Sequence, residues 1–66
     1  MSELKNIVDR IQKKDLDKAL ELCELTENKN NKHLILNFKG VIYLLKNSLD
    51  LAESNFLNSL RINEKF

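Results

Sequence analysis

Apolar residues recur along the chain in steps of three and four, the period that gathers side chains on one stripe of an α-helix. Leu4, Ile7, Val8 and Ile11 form the first stripe, which gives way to Gln12-Lys13-Lys14 and predicts a helix over about residues 2–13. Asp15 can accept a hydrogen bond from a free amide at the start of a second helix. The stripe of that helix, Leu16, Ala19, Leu20 and Cys23, carries it to about Glu27. The polar run Asn28-Lys29-Asn30-Asn31-Lys32 has nothing to bury, and asparagine competes for backbone hydrogen bonds, so the main loop is expected there.

Beyond His33, the segment Leu34 to Leu45 is apolar on nearly every side. Ile35, Phe38, Val41, Ile42 and Tyr43 would also suit a strand. A run of about twelve residues, unbroken and set between helical patterns, instead fits a helix buried on more than one face, and it is too short to span a membrane. Lys46-Asn47-Ser48 then forms a polar turn with Asn47 or Ser48 as cap, and Asp50 complements the helix dipole. Leu49, Ala52, Phe56, Leu60 and Ile62 mark a fourth helix. With no proline and one glycine, Gly40, nothing breaks these segments, and an all-α fold of four helices follows.

The chain also repeats itself. Leu16, Ala19 and Cys23 align with Leu49, Ala52 and Phe56 at an offset of 33 residues, and Leu4, Val8 and Ile11 align with Leu36, Gly40 and Tyr43 at 32. The missing residue is assigned to the turn before Asp15. In the second half, Leu36, Gly40, Tyr43, Ala52 and Phe56 are followed by Ser59, Leu60, Ile62 and Asn63, with Glu64 where a proline is usual. This pattern resembles the tetratricopeptide repeat family, whose unit of about 34 residues is a pair of helices. The first half carries the resemblance less well, with Val8 in the place of the glycine. The resemblance implies a single domain over residues 1–66. Two antiparallel helical hairpins, about 1–32 and 33–66, would stack as a short solenoid, with Gly40 and Ala52 small where the helices of the second repeat cross. An ordinary four-helix bundle is the alternative.

Charge and composition narrow the function. Eleven basic against ten acidic residues give a net charge of +1, too little to argue for nucleic acid by bulk charge, and 66 residues exclude a large enzyme scaffold. Cys23 has no second cysteine to pair with and is expected to be a buried thiol. His33 is the single histidine and lies on a different element. Asp15 and Asp17 open a helix, where negative charge is favoured in any case. No catalytic residue, metal site or cofactor is expected. Lys13, Lys14, Lys29 and Lys32 are interleaved with Asp15, Asp17, Glu24 and Glu27, which reads as a solvated surface. A small helical nucleic-acid binder is therefore the minor alternative. The first residues show no secretory signal, so cytoplasmic residence is expected.

What remains is apolar surface beyond the needs of a core. The resemblance implies a groove for a partner protein's peptide or helix. Lys5, Asp9 and Gln12 would form one polar wall, and Leu34, Asn37, Val41 and Leu44 one apolar wall. Family members that clamp C-terminal carboxylates use Lys and Asn in this groove. Lys5 matches, but Asp9 and Phe38 stand where asparagines are needed, which argues against that activity. The stripe of the fourth helix has no following repeat in this sequence, and a homodimer through Leu51, Phe56, Leu57 and Leu60 is expected. An oligomerisation module with an empty groove is the purely structural alternative.

Overall fold

The computed structural model describes residues 2–63. They form α1 (Ser2–Gln12), α2 (Leu16–Thr26), α3 (Lys32–Leu45) and α4 (Leu49–Asn63), with no strand among the described residues. The expected repeat ending at Glu64 lies outside them. Helix α1 packs on α2, α2 on α3, α3 most extensively on α4, and α1 also touches α3, whereas α4 packs on α3 alone. Ile7, Ala19, Cys23, Ile35 and Ile42 are fully buried and form the core between α1, α2 and α3. Leu4, Ile11, Leu16, Leu20, Leu22 and Phe38 pack around it.

The two short turns are the same structure 33 residues apart. After α1, Lys14 adopts a left-handed conformation (φ 63°). Its N–H donates to the Ile11 carbonyl at 3.0 Å, and the Asp15 N–H donates to that of Arg10 at 2.9 Å. After α3, Asn47 is left-handed (φ 66°). The Asn47 N–H donates to Leu44 at 3.0 Å and the Ser48 N–H to Tyr43 at 2.8 Å. Each is a Schellman turn, which satisfies otherwise orphaned helix carbonyls and reverses the chain within three residues.

This identity corrects the register expected for the first helices. If Lys14 matches Asn47, the counterpart of Gly40 is Ile7, and the offset is 33 throughout, with no deletion in the turn. Burial agrees, because Ile7 is fully buried while Val8 is 37% exposed. Size is exchanged between the hairpins. In the second, the Phe56 ring lies where a Gly40 side chain would be, with Cε1 only 2.5 Å from an ideal Cβ position. In the first, the large residue is Ile7 on α1, and the Phe56 counterpart is the smaller Cys23, both fully buried. Close packing tolerates such swaps when volume is conserved.

The capping of α2 also departs from expectation. Asp15 precedes α2, but its side chain makes no cap hydrogen bond; its carboxylate accepts from Arg10 Nη1 at 3.2 Å. The loop before α3 is ordered by its asparagines. Asn28 Oδ1 accepts from the N–H groups of Asn30 (2.8 Å) and Asn31 (3.1 Å), and Asn31 Oδ1 accepts from the Asn28 N–H at 2.8 Å. This reciprocal pair is a capping box built from two asparagines, one turn ahead of α3.

Candidate interaction surfaces

Three faces divide α3. Ile35, Phe38 and Ile42 join the core, and Lys39 and the C-cap residue Lys46 reach carboxylates on α2 and at its C-cap: Lys46 Nζ to Asp17 at 2.6 Å, and Lys39 Nζ to Glu27 at 3.5 Å and Glu24 at 4.0 Å. Gly40 faces α4, and the Ser59 hydroxyl donates to the His33 carbonyl at 2.8 Å, tying α4 to the start of α3. The third face is a stripe at steps of three and four, Leu34, Asn37, Val41 and Leu44, joined at its edge by Leu45. Leu34, Asn37, Leu44 and Leu45 are exposed and Val41 is half-buried. The structure thus brings the four expected apolar-wall residues onto one surface.

The polar wall changes. In the 33-residue register Lys5 and Asp9 correspond to Phe38 and Ile42, which pack inward, and not to Asn37 and Val41. Both are exposed, and Asp9 pairs with Lys13 at 3.2 Å. The α1 counterparts of Asn37, Val41 and Leu44 are Leu4, Val8 and Ile11. Gln12, exposed, corresponds to Leu45 and keeps its place at the edge of the stripe. The spacing of twelve residues from Ile7 to Ala19, equal to that from Gly40 to Ala52, is the sequence signal for this register.

The four residues expected to self-associate do not form one patch. Phe56 is half-buried with its ring on Gly40. At about 100° per residue Leu51 lies across α4 from Leu60. Leu57 and Leu60 share a side with Leu49, and the three are 50%, 57% and 58% exposed. Asp50, in the first turn, and Arg61, in the last, flank this side, with Glu53 at its middle.

The remaining chemistry is structural. Cys23 is buried, and desolvation pushes its thiol up to about 11, the nearby Lys39 ammonium opposing the shift, so it is a neutral core residue at physiological pH. The Lys46 hydrogen bond and charge hold the Asp17 carboxyl below its ordinary value. No group of three or more His, Cys, Asp or Glu among the described residues could hold a metal. A depression of about 440 Å³ is an open crease at the α3–α4 turn lined by Asn47 to Leu51. Among the described residues no helix is long and apolar enough to cross a membrane. No family model matches the chain, and no curated protein or solved structure matches it either.

Proposed function

We propose that the chain is a non-enzymatic protein-interaction module, similar in plan to a tetratricopeptide unit and resident in the cytoplasm. It holds a peptide or helix of a partner on the exposed stripe of α3 and self-associates through α4. The observation that carries this reading is the α3 stripe itself. Leu34, Val41 and Leu44 are apolar side chains left over after α3 has met α2 on one face and α4 on another. Contiguous exposed apolar surface at helical spacing is what an amphipathic partner segment recognises. Val8, exposed on α1, would supply the facing wall with the uncovered edges of Leu4 and Ile11, which also pack on the core, and Asn37 would offer a carboxamide to the partner's backbone.

The test is selection from a displayed peptide library with the wild-type chain and with a Val41→Asp/Leu44→Asp variant as bait. Peptides enriched by the first and lost with the second, while far-UV circular dichroism stays unchanged, support the groove. Equal enrichment by both removes it. The self-association half is read separately, as the solution mass across a range of concentrations.

A further inference from the structure

The side of α4 that carries Leu49, Leu57 and Leu60 has a covered counterpart within the same molecule. At the 33-residue offset its residues correspond to α2 positions that α3 packs on. Asp50 stands for Asp17, which takes Lys46, and Leu57 and Leu60 stand for Glu24 and Glu27, which take Lys39. Where α2 meets α3 through charge, α4 presents leucine, and no described element lies over it.

A second copy that continued the stack would cover this side poorly. In that arrangement its α1 would lie on α4 as α3 lies on α2. The α1 counterparts of Phe38, Lys39, Ile42 and Lys46 are Lys5, Asn6, Asp9 and Lys13, all polar and exposed. Lys13 would meet Asp50, as Lys46 meets Asp17, but Lys5, Asn6 and Asp9 would desolvate against Leu57 and Leu60 with no partners, three polar groups where an α4–α4 contact sets one, Glu53, at its middle. The molecule is therefore polar at its α1 end and apolar at its α4 end, which leaves α4 to meet its own copy.

Resting on the self-association reading above, we propose that two chains pair through α4 in antiparallel orientation, about a two-fold axis near Asn55. That axis sets Leu49 of one chain opposite Leu60 of the other, Glu53 opposite Leu57, and Asp50 opposite Arg61, each pair occurring twice. The first and third pairs fall on opposite edges of the seam, as the helical angles of these residues require. Asp50 and Arg61 form no ion pair among the described residues, and their charges sit at opposite ends of α4. An antiparallel contact joins unlike charges at both ends, while a parallel one would set Asp50 against Asp50 and Arg61 against Arg61. Rim charges of this kind fix orientation more than they add affinity.

The experiment is a charge exchange read by sedimentation equilibrium, with circular dichroism as the check on folding. The wild-type chain is expected to be a dimer. Asp50→Arg and Arg61→Asp each place two like-charged contacts in their own homodimer and should weaken it at least ten-fold. An equimolar mixture of the two variants should restore a dimer, because each variant then supplies what the other repels. A wild-type chain that stays monomeric at hundreds of micromolar overturns self-association altogether. A wild-type dimer that neither variant weakens, or that the mixture does not restore, overturns the antiparallel pairing alone.

Discussion

Gly40 sits in the middle of α3 with an ordinary helical backbone, so its value lies in the side chain it lacks. A helical glycine gives up about 1 kcal/mol to alanine in propensity alone. Here a Cβ would come within 2.5–2.8 Å of three Phe56 ring atoms, and the ring would have to leave its place. Overpacking of this kind costs about 1–3 kcal/mol. Gly40→Ala is expected to lower stability by a net ~1 kcal/mol in urea unfolding, and the same change in a Phe56→Leu background should be neutral or stabilising. A Gly40→Ala chain more stable than wild type would show that the ring moves away freely. The close crossing was legible in the sequence, since Gly40, Ala52 and Phe56 announce it. Its first-hairpin equivalent was not, because Ile7 and Cys23 solve the same volume problem with the sizes exchanged. The adjacent apolar Ile7-Val8 pair also lets either residue be taken for the glycine's counterpart.

At the scale of elements, the helices and their order follow from periodicity, while the connections depend on conformations that residue type specifies weakly. Asparagine tolerates the left-handed region at position 47, but nothing marks Lys14 for it. Left-handed backbone costs a non-glycine residue about 1–2 kcal/mol. Lys14→Gly is therefore expected to stabilise the chain by roughly 1 kcal/mol, part of the gain being offset by the more flexible unfolded state, as a higher urea midpoint with an unchanged slope. The asparagine-rich loop was legible as a helix stop but not as a capping box, which needs its reciprocal geometry to be seen. The ion pairs that pin α2 to α3 were equally hidden, since Asp17 and Lys46 are far apart in sequence. With its folded pKa depressed below 3.8, Asp17 contributes stability that is complete above about pH 5 and is lost as the pH falls through the folded value. In a Lys46→Met variant the Asp17 carboxyl titration followed by NMR should move back up to the ordinary range. Because Asp17 is exposed, the shift in the wild-type chain should shrink in 0.5 M salt. An Asp17 midpoint equal in the two proteins would remove the contact.

The whole molecule has little to spare. Among the described residues six hydrophobic ones are buried, Ile7, Ala19, Cys23, Ile35, Ile42 and Ala52, and a chain of 66 residues hides a smaller share of its surface than a larger domain does. Nine large apolar side chains among the described residues remain exposed, and those on α4 lie beyond the core that joins α1, α2 and α3. Burying Leu49, Leu57 and Leu60 in a second copy would couple association to folding, so stability would depend on chain concentration. For a dimer that unfolds to separate chains, each ten-fold increase in concentration adds about 1.4 kcal/mol per dimer. At the unfolding entropy typical of two such chains this amounts to about 5 °C in the thermal midpoint. The wild-type midpoint is expected to climb by about that much per decade of concentration, and the Asp50→Arg midpoint to stay flat at the monomer value over the same range. A wild-type midpoint independent of concentration would mean that the four helices are stable without a second copy. The apolar side of α4 would then contribute nothing to folding.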